Sequence, residues 1–307
     1  MKNICPICNS ENLNIIRNYN SESKLFIESK LTKCINCSLV FVNPMPDFNL
    51  WIQYNSDYFN VAHGGISTDK NTINFFKGIA VVRMNYILEY LKKYSITINS
   101  ILEIGPGVGY LAEKFLNLHP GIKYSVIESD NSCYPTLSKL GINFYNNIDQ
   151  LPDNSSFDLV IFSHVLEHVI NPNDFLQSNT KYLKKGGILF IDVPCNDWKF
   201  KTSDEPHLLF FDKKPLFYLL NYNLNQHEIQ LSYHGVEINK IDSMNNNLLL
   251  NKLFNKIRLK SIFLFLSWIF LKDKKYLNFN EYKMIYSFKP HLTNENESWW
   301  LRAISIK

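Results

Sequence analysis

The chain has 307 residues, of which 46% are hydrophobic and 20% charged, and it carries a net charge of +4. That balance is typical of a soluble globular protein, long enough for one large domain with additions or for two domains. The charge is too small to argue for a nucleic-acid partner by itself.

The N-terminus, Met1-Lys2-Asn3-Ile4-Cys5, has no apolar core of a secretory signal, and the longest apolar run, Ile262 to Leu271, is shorter than the about 20 residues a bilayer span needs. A reducing, cytoplasmic setting is therefore expected. Four of the six cysteines precede residue 40, as Cys5-Pro6-Ile7-Cys8 and Cys34-Ile35-Asn36-Cys37. In such a setting two C-x-x-C turns suggest metal before disulfide, and together they would present four thiolates to one structural Zn²⁺. Two disulfides or a redox C-x-x-C are the competing readings, but no βαβ pattern surrounds either pair. Residues 1–45 thus read as a small zinc ribbon, with Cys5, Cys8, Cys34 and Cys37 as ligands. Cys133 and Cys195 read as packing residues.

Ser38–Val42 has the pattern of a short strand, ended by Asn43-Pro44-Met45-Pro46. The next stretch, 46–98, begins with Trp51, Tyr54, Tyr58 and Phe59 and is either a connector or a lid hinged at Gly64-Gly65. Apolar residues at helical spacing predict a helix over 74–94. An alternation of strand and helix then predicts a parallel sheet through 99–307, with strands at Ser100–Ile104, Lys123–Glu128, Ile142–Tyr145, Phe157–Ser163 and Gly187–Val193. Helices are expected at Tyr110–Leu118, Cys133–Leu140 and Asn173–Leu183, the last stopped by Gly186-Gly187. Beyond it come a helix over Asp212–Tyr222 and a strand over His227–Tyr233. A basic, apolar helical insertion follows at 246–275. Two closing strands, Met284–Phe288 and Trp300–Ile306, are expected to form an antiparallel edge pair.

The stretch with most chemical information is Ile101-Leu-Glu103-Ile-Gly105-Pro106-Gly107-Val-Gly109-Tyr110. Strand, glycine turn, helix brings main chain against a nucleoside. Tyr110 stands where a dinucleotide site has its last glycine, and an acid before the turn suits a cationic ligand better than a pyrophosphate. Glu128, ending the next strand, is placed to accept both ribose hydroxyls.

These residues, together with Phe157-Asp-Leu-Val, His164-Val-Leu-Glu167-His168 and Gly186-Gly187 through Pro194, resemble the ordered motifs of class I S-adenosylmethionine-dependent methyltransferases. The resemblance implies an α/β, Rossmann-like, seven-stranded methyltransferase sheet with its last strand antiparallel. It further implies that Gly105, Pro106, Gly107 and Gly109 line the methionine and ribose of the cofactor. Glu103 would orient the loop, Glu128 would bind the ribose, Asn147 and Ile148 would meet the adenine (with Asp149 able to replace Asn147), and Ser163 and His164 would border the transferred methyl.

The ribbon, the Val-Asn-Pro-x-Pro stretch and this core are similar to zinc-ribbon methyltransferases of sugar and glycan pathways. The sugar C-methyltransferases among them carry a Tyr-x-Glu-His acid/base run that corresponds here to Asp204-Glu205-Pro206-His207. The histidine is kept, and the other two residues differ. Those enzymes also continue into a further C-terminal domain.

His207 is the candidate general base, with Glu205 or Asp204 to assist it and His168 shaping the pocket floor. The expected activity is methyl transfer to a small acceptor, a sugar or glycan precursor. An RNA methyltransferase docking through the ribbon and a non-catalytic cofactor-binding module are the alternatives. Between Lys252 and Lys275 there are seven Lys or Arg and one Asp, beside Phe263, Phe265, Trp268 and Phe270. This basic segment could touch a membrane surface through 250–275, make an oligomer contact, or pack on its own core.

Overall fold

The computed structural model describes residues 4–241, 259–269 and 276–307. Three antiparallel strands open it: β1 (Leu13–Asn18), β2 (Lys30–Cys34) and β3 (Val40–Asn43). Helices α1 (Phe48–Ser56), α2 (Tyr58–His63) and α3 (Lys70–Lys93) follow. The side chains of Asp47 and Asp69 accept hydrogen bonds from the first-turn N–H groups of α1 and α3, so each helix starts where a cap satisfies its orphan donors. The alternating core runs β4 (Ser100–Ile104), α4 (Tyr110–Leu118), β5 (Lys123–Ile127), α5 (Tyr134–Lys139), β6 (Asn143–Tyr145), β7 (Phe157–Ser163), α6 (Pro172–Thr180) and β8 (Leu183–Pro194). Then come β9 (Leu209–Phe210), α7 (Lys213–Tyr218), β10 (His227–Glu237), α8 (Leu259–Ile269), α9 (Phe279–Ile285), β11 (Thr293–Asn294) and β12 (Ser298–Ile306).

The central sheet has the order β11-β10-β12-β8-β7-β4-β5-β6. Strands β8, β7, β4, β5 and β6 are parallel neighbours, and β12 runs antiparallel to both β8 and β10. All five residues of β4 are buried, as a central parallel strand covered by helices on both faces requires. The fold is α/β and Rossmann-like with a mixed sheet. Strand order reverses at β4, whose successor β5 lies on one side and β7 on the other, so the crevice for a ligand opens beyond their C-terminal ends.

Several expectations need correction. The sheet has eight strands rather than seven, because Thr293–Asn294, between the two expected closing strands, adds a short edge strand to β10. Met284–Phe288 is no strand: Phe279–Ile285 is a helix and Tyr286–Phe288 a single 3-10 turn. A capping box between Asn278 and Glu281 starts that helix, and this local signal outweighs the alternation of Met284, Tyr286 and Phe288. The closing pair at the sheet edge is consequently absent, and β12 lies inside the sheet instead. Helix α6 stops at Thr180, and Gly186 and Gly187 lie within β8 rather than ending a helix. The helix expected over Asp212–Tyr222 is α7 followed by a π-turn at Leu219–Asn223.

Of the insertion at 246–275, residues 246–258 and 270–275 lie outside the described residues. In α8 the Trp268 indole donates to the Leu277 carbonyl at 2.7 Å and packs against the apolar cluster of α3 and α9. Phe265 and Leu266 on the same helix are exposed. No helix among the described residues is long and apolar enough to cross a membrane.

The N-terminal strands form a second sheet of order β1-β2-β3-β9, whose fourth strand comes from the far side of the core sequence. One apolar cluster runs without a break from Cys5, Leu31 and Phe41 through Leu209 and Phe210 to Val160, Phe162 and Val193. The two sheets therefore share a core. Phe210→Ala, at a position 1% exposed, should lower stability by about 3–5 kcal/mol. Denaturant curves followed by tryptophan fluorescence and by accessibility of the N-terminal thiols should keep coincident midpoints. Separate midpoints would show that the first sheet folds by itself.

Candidate active site

The turn between β4 and α4 has Gly105, Gly107 and Gly109 at φ values of +66°, +56° and +84°. At Gly105 a Cβ would lie 2.5 Å from Val165 Cγ2, a clash, and at Gly107 one would press on Phe59 Cζ at 3.1 Å, while the positive φ strains a side chain at both. The turn is held by the neighbouring strand. Glu128, buried just past β5, accepts from Gly107 N–H through Oε2 at 2.8 Å and from Asp130 N–H through Oε1 at 2.9 Å. Burial raises the Glu128 pKa against these bonds. Each carboxylate oxygen keeps a lone pair for a further donor.

Glu103, 3% exposed on β4, accepts from the Tyr124 hydroxyl at 2.7 Å. Burial pushes its pKa up to about 7, against that bond and the pull of Arg83. Ser163 Oγ, ending β7, is buried without a hydrogen-bond partner. His164 follows at φ +55° with its Nδ1 3.4 Å from Glu167 Oε1. Asn147 is exposed, and its side-chain oxygen accepts from Asp149 N–H to cap a 3-10 turn at Ile148–Gln150. Pro106 and Ile148 are half-buried.

Two expected residues, His168 and His207, converge with Glu167. A ring nitrogen of His168, one of His207 and a carboxylate oxygen of Glu167 lie within 4.8 Å of one another. His168 Nδ1 is 3.1 Å from the Pro206 carbonyl, which can only accept, so Nδ1 carries the proton and Nε2 is bare. Burial drives the His168 pKa down to about 3, which leaves the ring neutral. Its bare Nε2 stands 3.8 Å from Glu167 Oε1. Glu167 is 1% exposed, and neither of its oxygens has a hydrogen-bond partner. Burial raises the Glu167 pKa, but His164, with Nδ1 3.4 Å from Oε1, leads the contacts that outweigh it and lower the value. The three groups could accept hydrogens from a ligand or hold a cation.

His207 is 6% exposed, and its Nδ1 is 2.8 Å from Asp197 Oδ2. The same Asp197 oxygen pairs with Lys201 Nζ at 2.7 Å. Burial would raise the Asp197 pKa, but His207 and Lys201 hold it well below the usual carboxylate range. An ionised Asp197 fixes the Nδ1–H tautomer of His207 and leaves Nε2 as a lone-pair base. Glu205, by contrast, is turned to the N-terminal unit, where the Ser21 hydroxyl donates to it at 2.5 Å. Asp204 faces the same unit and pairs with Arg17.

The aromatic stretch covers this cluster. The Trp51 indole donates to the His168 carbonyl at 2.6 Å, Tyr54 stacks on Trp51 at 4.8 Å, and Tyr58 meets His168 edge-on at 5.3 Å. Phe59 lies over Gly107, and its N–H donates to Asp130 Oδ2. Helix α2 ends at Gly64, in the left-handed region at φ +67°.

At the N-terminus, Cys5 Sγ is 3.4 Å from Cys37 Sγ and Cys8 Sγ is 3.5 Å from Cys34 Sγ, and all four sulfurs lie within 4.8 Å of one another. These distances exceed a disulfide bond of about 2.05 Å. They approach the roughly 3.8 Å spacing of four sulfurs at about 2.3 Å from one tetrahedral ion. The four thiols could hold Zn²⁺.

Two sets of residues escaped the sequence reading. Asp197, the carboxylate partner of His207, lies ten residues upstream of it in a turn that carries no motif. Asp192, Arg83 and His234 form a buried group at the tip of β8: Arg83 Nε is 2.6 Å and His234 Nε2 3.0 Å from the Asp192 carboxylate. Arg83, placed within the apolar run Val81-Val82-Arg83-Met84, is the one sign in the sequence that a buried anion awaited it.

Residues 83–234 match a family described as a methyltransferase domain. The ubiquinone biosynthesis O-methyltransferase of Rickettsia bellii is 29% identical over 121 residues, which are 36% of this chain and 50% of that protein. The mitochondrial protein of the same name from Dictyostelium discoideum is 24% identical over 165 residues, 45% of this chain and 51% of that one. The chain thus spans about half the length of the curated relatives it matches. Among solved structures, the plantazolicin methyltransferase BamL, in complex with a triazolic analogue and SAH, aligns with a TM-score of 0.49 at 14% identity. That alignment covers 84% of this chain and 98% of the other. A possible histamine N-methyltransferase from Thermotoga maritima aligns with a TM-score of 0.46 at 17% identity, over 77% and 95% of the two chains.

The buried Glu103 generates a pH prediction. Its folded pKa of about 7 lies above the unfolded value, so the protein's stability declines through this group as pH rises from the ordinary carboxylate range through 7. Glu103→Gln removes that dependence and keeps an acceptor for Tyr124. Urea unfolding should place the variant close to the wild type at pH 5 and above it at pH 8. A stability difference that does not grow with pH would refute the assignment.

Proposed function

We propose that this protein transfers a methyl group from S-adenosylmethionine to a hydroxyl of a small molecule, a sugar or glycan precursor being the favoured class. The observation that carries the reading is the glycine turn clamped by Glu128, set beside a buried His207–Asp197 pair at the C-terminal edge of the sheet. The cofactor, when bound, supplies an electrophilic methyl on a sulfonium. The residues fit it on three counts. Gly105 and Gly107 present main chain without Cβ atoms, Ser163 Oγ is a buried group awaiting a partner, and Glu103 is a buried acid whose ionised form a neighbouring cation would stabilise.

Glu128 binds the ribose hydroxyls through the lone pairs that Gly107 and Asp130 leave free. Asn147 or Asp149 meets the adenine, and Ser163 and His164 border the methyl. His207 takes the proton of the acceptor hydroxyl at Nε2, and Asp197 stabilises the imidazolium that results. His168 and Glu167 orient the acceptor. Glu167, bare His168 Nε2 and His207 Nε2 are all hydrogen-bond acceptors, and two of them already face each other at 3.8 Å. A molecule offering several hydroxyl donors relieves that juxtaposition, which supports a polyol or sugar. The O-methyltransferase names of the curated relatives support oxygen as the atom methylated. The four N-terminal thiols, in this reading, hold a structural Zn²⁺.

Calorimetry should detect S-adenosylmethionine binding. Glu128→Ala should weaken it at least about tenfold, the loss of roughly 1.4 kcal/mol of hydrogen bonding. Gly107→Val should abolish it, since both the backbone angle and Phe59 oppose a side chain there. Incubation with labelled cofactor and a panel of nucleotide sugars and hydroxylated aromatics should label an acceptor. His207→Ala should then lose at least about 100-fold in kcat with cofactor affinity unchanged. Absence of binding would leave only the fold, and full turnover in His207→Ala would remove the base assignment.

A further inference from the structure

The loop that carries His207 is held by the N-terminal unit. Between the 3-10 turn at Asp197–Lys199 and strand β9 there is no regular structure, yet His207 sits in this stretch 6% exposed. An imidazole presented from an irregular loop keeps its direction only if the loop's own polar groups are tied down. Arg17, near the end of β1, does this with a bidentate fork. Its Nη1 donates to Asp204 Oδ2 at 2.5 Å and its Nη2 to Asp204 Oδ1 at 2.8 Å, while Nη2 also reaches the Trp198 carbonyl at 3.2 Å. The next residues of the same strand end continue the seam. The Tyr19 hydroxyl donates to the His207 carbonyl at 2.9 Å, Asn20 N–H donates to Asp204 Oδ2, and Asp204 N–H donates back to the Asn20 carbonyl. The His207 N–H in turn donates to the Asp204 carbonyl at 3.0 Å. Both main-chain groups of His207 thus end on Asp204 or Tyr19, and the segment then enters the first sheet as β9.

We infer that Arg17 and Tyr19 are positioning residues for His207, and that the N-terminal unit exists to hold the proton-accepting histidine against Asp197 and Glu167. The inference rests on the methyl-transfer reading for its consequence in catalysis, though not for its structural content. Asp204 has a side chain with no exposure, whereas that of Arg17 is 36% exposed. Removing the arginine leaves a carboxylate buried with its counter-charge gone, and the loop must move outward to rehydrate it. Nothing in the glycine turn depends on this seam. The loss is therefore confined to the histidine and spares the cofactor crevice.

The decisive experiment compares full-length wild type, Arg17→Ala, Arg17→Lys and the double variant Arg17→Gln/Asp204→Asn. Amide exchange of residues 204–208 should accelerate at least about tenfold in Arg17→Ala. The downfield proton on His207 Nδ1, identified by its absence in His207→Ala, should disappear with it. Exchange in β4 and β5 and affinity for S-adenosylmethionine should stay at wild-type values. Arg17→Lys should restore part of the protection, as a point charge without the fork does. On an acceptor found as above, Arg17→Ala should lower kcat with the cofactor KM unchanged. The double variant removes both charges, so it keeps the fold even if Arg17→Ala loses it, and it should still show faster loop exchange because the fork is gone. Unchanged loop exchange and a retained Nδ1 proton in the single or the double variant would overturn the inference. A wild type that binds no cofactor would sink the proposed function instead, and the exchange measurements would still decide the role of Arg17.

Discussion

Two residues, Leu209 and Phe210, belong to the first sheet by hydrogen bonding and to the core by sequence. Their pairing with Val40 and Phe41 is the constraint on which the rest of the arrangement depends. Because β9 follows His207 by a single intervening residue, whatever fixes the first sheet also fixes where that histidine stands. The shared apolar cluster makes the linkage rigid, since Phe41, Phe210 and Phe211 are all fully or nearly fully buried at the junction. The four-thiol cluster lies where β2 ends and the chain turns into β3, beside the Val40–Phe210 pair of β9.

The site is built from two kinds of polar group that the fold treats differently. The groups on the strands β4, β5 and β8 are paired within the sheet or with α3: Glu103 with Tyr124, Glu128 with Gly107, Asp192 with Arg83 and His234. These bonds shape the crevice before any ligand arrives, which limits the reorganisation that binding requires. The groups past the ends of β7 and β8 are left with unused capacity. Ser163 Oγ and both oxygens of Glu167 are buried without hydrogen-bond partners, and His168 Nε2 is bare. Burying unpartnered acceptors is unfavourable, and Trp51 and Tyr58 lie against His168, next to Glu167.

Local signals carried most of the fold. Three glycines after an apolar strand, an acid at the end of the next strand and repeated alternation of strand and helix place β4, α4, β5 and β7 within a residue or so of their expected bounds, because these are short-range patterns of period and turn chemistry. The four cysteines were equally legible, since two C-x-x-C pairs state their own geometry. Where the reading failed, two local patterns competed. Met284, Tyr286 and Phe288 alternate like a strand, but the Asn278–Glu281 box had already begun a helix. Thr293–Asn294 has no strand character of its own and pairs only because β10 offers an open edge.

The sequence by itself determined the α/β class, the glycine turn with an acid closing the next strand, and the two C-x-x-C turns, because each depends on neighbours within a few positions of the chain. Only the tertiary structure decided that Asp197 pairs with His207, that Glu205 meets Ser21 instead, and that Arg17 clamps Asp204 across a sequence separation of 187. It also decided that the first sheet and the core are one body. These are contacts between loops and strand ends, where no periodicity links the partners. Burial alone makes a charge seek its counterpart, and burial is a property of the folded chain.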